Sequence, residues 1–190
     1  MYTLNMIKTR LAGVQIGADF TFFAVIAMFI TLDTTGFALM SLSVCLIHEA
    51  GHLTAMLLIG QKPDSIMLRG GGIKIASKCD SMLVLLAGSA VNIVLFFALY
   101  FTLPKTDIYP VMFAVLNLVI GLFNLLPVGC LDGKRLLEMF MPEKLLRIIE
   151  IVTVTAVIAV IIAAFSRGGV NFTFTAVIIY IIAVDFFGKM

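Results

Sequence analysis

His48, Glu49 and His52 fall within five residues, His48-Glu49-Ala50-Gly51-His52, and these two are the only histidines of the 190-residue chain. Imidazoles at i and i+4 share one face of a helix, where both can ligate one divalent metal ion. The Glu49 carboxylate neighbours that face and can reach a water at the metal. The order H-E-x-x-H is that of zinc proteases. Between residues 34 and 61 no other charged side chain occurs. An ionisable group inside an apolar span is expensive and marks a functional site by default.

A catalytic zinc usually has three protein ligands and one open position. With both histidines used, the third ligand is a carboxylate or a thiolate. Asp19, Asp33 and Asp185 fall at the ends of apolar runs, Asp107 in a loop, and Asp64 and Asp80 beside a glycine-rich segment. Asp132 stands apart. It follows Asn124-Leu125-Leu126-Pro127-Val128-Gly129-Cys130-Leu131, an apolar stretch interrupted by Pro127 and Gly129. Proline removes a backbone donor and breaks a helix. Broken backbone at membrane depth is tolerated only where protein buries it or where it lines a cavity. Taken alone, an aspartate at this place also suits a helix N-cap. Cys45 is three residues before His48 and can face the same site, but a buried cysteine is usually inert. Cys45, Cys79 and Cys130 are an odd count at irregular spacing and give no disulfide framework.

The elements that carry these residues are apolar. The chain is 62% hydrophobic and 13% charged, with a mean hydropathy of +1.15. Soluble domains run at about 45–50% apolar, so the composition excludes a water-soluble domain and makes the lipid bilayer the natural solvent. A net charge of +2 is too small to suggest nucleic-acid binding. Charge-poor windows place spans at 17–32, 36–59, 81–103, 109–126, 145–165 and 172–187, against the roughly 20 apolar residues a crossing helix needs. The first is short, and Lys8 and Arg10 before it resemble a signal-peptide n-region. No small-residue cleavage site follows, so it reads as a retained span. Six spans put both termini on one side. That side collects 11 of the 13 Lys and Arg residues, leaving only Lys105 and Arg167 opposite. Positive charge marks the cytoplasmic side.

Two loops on that side are more than connectors. Ile66-Met67-Leu68-Arg69 and Ile73-Lys74-Ile75-Ala76 flank Gly70-Gly71-Gly72, a pattern that predicts a β-hairpin. The other loop, 127–143, carries Asp132 and a short helix over 134–140. The expected fold is an all-α membrane protein of about six transmembrane helices, with a small β-hairpin between spans two and three. It forms a single membrane domain over residues 1–190. Glu150 and Arg147, near the start of span five, are expected at the membrane interface.

H-E-A-G-H in the second span and N-L-L-P-V-G-C-L-D-G after a later one resemble the site-2 protease family of intramembrane zinc metalloproteases. Gly88-Ser89-Ala90-Val91-Asn92 resembles that family's G-x-x-x-N signature in the third span. The resemblance implies one zinc ion held by His48, His52 and Asp132, with Glu49 as general base. It gives Asn92 a hold on the substrate backbone or the oxyanion; an interhelical hydrogen bond suits Asn92 equally, and Gly88 suits close helix packing. Asn124 and Pro127 shape the broken segment. Ser89 stands where members often have proline, and a second proline near Gly129 is missing; neither departure touches a ligand. The length read here is expected to hold no PDZ or CBS domain. The six-span layout is most similar to the sporulation branch, whose members cleave a membrane-tethered sigma-factor precursor. The implied partners are such a tethered protein substrate, membrane regulators and the bilayer, and bundles of this kind can self-associate. A reading from another class is a metal carrier without protease activity. Glu49 discriminates, because transport needs no base beside the first ligand.

Overall fold

The computed structural model describes residues 7–166 except 12, 34, 71, 77–80, 105 and 130. The expected sixth span, together with Cys79 and Cys130, lies outside the described residues. The chain divides into two units, Met1–Phe123 and Asn124–Met190.

The first unit begins with β1 (Ile7–Leu11) and β2 (Val14–Ala18), followed by α1 (Phe20–Leu32) and α2 (Phe37–Leu58). Then come β3 (Ser65–Arg69), β4 (Gly72–Ala76), α3 (Met82–Thr102) and α4 (Ile108–Asn124). The predicted hairpin is present as β3 and β4, paired antiparallel with Ile66 opposite Ile75. It is half of a larger element. β2 lies parallel to β3, with Ile16 opposite Ile66, and β1 pairs antiparallel with β2. The result is one four-stranded sheet in the order β1-β2-β3-β4. The fold is therefore mostly helical with a small sheet. The stretch expected to open the first span, Gly17 and Ala18, is strand. Helix α1 starts at Phe20, where Asp19 accepts a hydrogen bond from the Phe22 N–H at 3.1 Å. The Thr21 hydroxyl accepts from the Gly70 N–H at 2.9 Å, tying α1 to the β3–β4 turn.

Helix α2 is closed at both ends by its own sequence. Asp33 accepts from the N–H of Ala38 at 2.6 Å and from the N–H and hydroxyl of Thr35 at 2.9 and 2.7 Å. These bonds, the Thr35 hydroxyl first, hold the Asp33 carboxyl below its ordinary pKa. At the other end Gly60 takes a left-handed conformation, φ 76°. Its N–H donates to Leu57 O, and that of Gln61 to Met56 O. These are the two bonds of a Schellman stop.

Helices α2 and α3 are long and apolar enough to cross a membrane. Their burial runs opposite to that of a water-soluble core. His48, His52, Ser89 and Asn92 are buried, as is Asn117 of α4, while Leu83, Val94 and Phe101 are 69%, 65% and 75% exposed. Val44, Met56, Val84, Leu85, Ala114 and Leu116 supply the apolar packing among the polar groups. Glycine sets how closely the helices approach. A Cβ on Gly51 of α2 would stand 3.0 Å from both Ala87 O and Gly88 Cα of α3. A Cβ on Gly121 of α4 would stand 3.1 Å from Asn92 Cβ. Such small-residue contacts suit helices in lipid, where dispersion rather than water exclusion drives association.

The second unit contains non-helical residues 125–129 and 131, then α5 (Asp132–Glu138) and α6 (Glu143–Ser166). Gly129 in that segment is left-handed, φ 59°. Leu146 of α6 is buried.

Candidate metal centre

His48 and His52 lie in the middle of α2 on the face turned to α3, 3% and 8% exposed. Their Nε2 atoms are 3.0 Å apart, and the rings meet edge to face with centroids 4.6 Å apart. The Nδ1 of His52 is 2.6 Å from the carbonyl oxygen of Val84 in α3. A carbonyl only accepts, so Nδ1 carries the proton and Nε2 of the neutral ring keeps its lone pair. A histidine that ligates a metal characteristically donates its other ring N–H to such an acceptor, which fixes both tautomer and orientation. The residue types give no hint of this partner, because it is backbone.

Asn92, fully buried in α3, places its amide nitrogen 3.5 Å from His48 Nδ1. Its Oδ1 has no partner among the described residues. The two ends of an asparagine amide are told apart by their hydrogen bonds. The reversed amide would put that unpartnered oxygen at His48 Nδ1, where it would accept a hydrogen bond as Val84 O does from His52. Gly88 lies one turn before Asn92 and directly faces both rings. A Cβ there would collide with His52 Nε2 and stand 2.8 Å from His48 Nε2 and Cε1. Gly88 thus does more than pack helices. Its missing side chain is the space the imidazoles occupy.

The structure therefore brings His48, His52, Gly88 and Asn92 together, with the half-buried Glu49 on the same helix. Asp132 is in the second unit, half-buried at the first position of α5. It is not the N-cap, which is Leu131. Gly133 is buried against the chain that leads up to it, and a Cβ there would collide with the Leu125 carbonyl. Glu150, expected near the membrane interface, has a partner that the sequence reading did not name. Its carboxylate is paired with Lys134, at side-chain exposures of 21% and 10%.

Asn117 is a buried polar residue that the motif search passed over. Its Nδ2 donates to Phe113 O at 2.9 Å, and its Oδ1 has no partner among the described residues. Its signal is one amide in the otherwise apolar run of α4.

The pair of nitrogens fits zinc. Two tetrahedral ligands at Zn–N distances of about 2.0–2.1 Å stand roughly 3.3 Å apart, close to the 3.0 Å between the two Nε2 atoms. The site is buried, and His52 is already in the tautomer a metal needs.

Residues 105–167 match the family model of Peptidase family M50. A zinc metalloprotease of Methanocaldococcus jannaschii is 26% identical over 159 residues, which cover 75% of this chain and 47% of that protein. The chain thus spans about half the length of this curated relative. The solved site-2 protease from Methanocaldococcus jannaschii superposes with a TM-score of 0.55 at 20% identity, over 96% of this chain and 91% of that one. That last match is a likeness of fold.

Proposed function

We propose that this chain belongs to the site-2 proteases of Peptidase family M50, a reading its similarities support, and that it is a zinc-dependent intramembrane endopeptidase. It hydrolyses a peptide bond in or near the transmembrane segment of a membrane-tethered protein. The observation that carries the reading is the buried pair of imidazoles with facing Nε2 atoms, one of them locked by Val84 O, next to Glu49. As proposed ligands, His48 and His52 would each give a nitrogen and Asp132 a carboxylate oxygen, the donor set of a catalytic zinc site with one position left open.

When bound, zinc supplies Lewis acidity to the scissile carbonyl and acidifies water. The chain's own groups do the rest. Glu49 takes the proton of the attacking water and returns it to the leaving amine. Asn92 holds either the substrate backbone or the developing oxyanion, or else orients His48. β4 stands at one end of the strand order. Its outer edge is suited to hold a locally unwound substrate by strand addition. The chain crosses the membrane six times with both termini in the cytoplasm, the arrangement that the Lys and Arg asymmetry supports. The site opens toward the cytoplasm, from which water reaches it.

The test is co-expression with candidate tethered substrates, a sigma-factor precursor first, using wild type and Glu49→Gln. The expected result is cleavage by wild type only, with equal zinc content in the two proteins. Cleavage by Glu49→Gln would overturn the assignment of the base. A wild-type protein free of zinc would overturn the metal.

A further inference from the structure

Glu150 of α6 grips the segment that leads into Asp132. One carboxylate oxygen, Oε1, accepts from the Gly129 N–H at 3.0 Å. Lys134 Nζ donates to both oxygens, each at 2.9 Å. Gly129 is three residues before Asp132, and Lys134 is two residues after it. Within and beside the segment, the Val128 N–H donates to Leu126 O, the Leu131 N–H to Val128 O, and the Lys134 N–H to Leu131 O. Gly133 packs closely on the Leu125 carbonyl.

We propose that Glu150 and Lys134 form a latch that positions Asp132, so that Glu150 is a positioning residue for metal binding. This rests on the reading of Asp132 as a zinc ligand. The latch binds both flanks of Asp132 to one point on α6, so its carboxylate cannot drift along the broken segment. Stability alone does not account for the pair. Burying two charges costs about what their attraction returns, and apolar residues of similar volume often serve as well. What an apolar pair lacks is an acceptor for the Gly129 N–H.

The experiment measures Zn²⁺ affinity of the full chain in detergent, by competition with a chromophoric chelator, beside the melting temperature of the metal-free protein. The variants are Glu150→Leu with Lys134→Met, Glu150→Gln with Lys134→Met, and Asp132→Ala. Both double variants remove the buried charges together, so neither strands a lone ion. The leucine variant is expected to bind zinc about 10- to 100-fold more weakly, the usual cost of losing support behind a ligand. The glutamine variant keeps an oxygen for the Gly129 N–H and is expected to lose less. Asp132→Ala is expected to lose most. If Asp132→Ala binds zinc like wild type, the ligand reading fails and the latch with it. If Asp132→Ala is weakened while the leucine variant is not, the latch alone fails. Equal losses in the two double variants that follow their melting temperatures would reduce Glu150 to a structural role and overturn the proposal.

Discussion

Gly88→Ala adds one methyl group at the point where α3 faces the two imidazoles. Ordinary contact begins at 3.4 Å, and the new Cβ would stand 2.8 Å from His48 Nε2 and closer still to His52 Nε2. His48 must therefore retreat by about 0.6 Å, and His52 by more, beyond the roughly 0.2 Å that metal–ligand distances tolerate. Neither ring has a cheap escape. His52 cannot swing without stretching its 2.6 Å bond to Val84 O. Moving α3 away instead opens the Gly51–Gly88 contact, where the backbones are already close. Displacing two ligands at once is expected to weaken zinc binding at least as much as losing one supporting partner, about 10- to 100-fold. That corresponds to about 1.4–2.7 kcal/mol. Chelator competition reads the affinity, and cleavage of a tethered substrate should fall with it unless zinc is in large excess. The helix itself gains, since alanine is a better helix former than glycine by about 1 kcal/mol, so global unfolding is not the expected route. Wild-type zinc affinity in Gly88→Ala would refute the claim that the empty Cβ position belongs to the metal site.

Gly133→Ala drives a Cβ into the Leu125 carbonyl and should lower both melting temperature and zinc affinity. The same change at the exposed Gly36, where nothing lies within 4 Å, should cost only the strain of its left-handed backbone. Asn92→Ala separates the two roles open to Asn92. Reduced zinc affinity points to support of His48, whereas unchanged affinity with a lower kcat points to the substrate or the oxyanion. Asp33 titrates below its unfolded value of about 3.9, since its hydrogen bonds favour the carboxylate. Its contribution to stability is present above that value and is lost as pH falls through the lower folded one. A carboxyl-carbon titration with a midpoint at or above about 3.9 would contradict this.

His48, Glu49 and His52 were legible because their relation is local, set by helical spacing within one turn. Asp132 was legible only as a carboxylate after a broken apolar stretch, and its role still came from a family resemblance. The carbonyl of Val84 was not legible at all, because a backbone acceptor leaves no mark in residue type. The pairing of Glu150 was not legible, because a charge near the start of an apolar run does not announce its partner. Its partner lies sixteen residues away, across the turn between α5 and α6. β3 and β4 announced themselves by apolar runs around glycines. β2 did not, since Gly17 and Ala18 run on toward the apolar stretch of α1. Its partner β3 follows only after two helices.

That parallel pairing of β2 with β3 imposes an order in time. β2 leaves the ribosome first and has to wait while all of α1 and α2 is synthesised before β3 exists to receive it. Pairings between distant parts of a chain form slowly, and until they form they leave strand edges exposed. The sheet can close only once the helical hairpin has doubled back and returned β3 to the place where β2 waits. Its closure is thus a late event, which reports that the histidine-bearing helix has been made and has brought the chain back to β2.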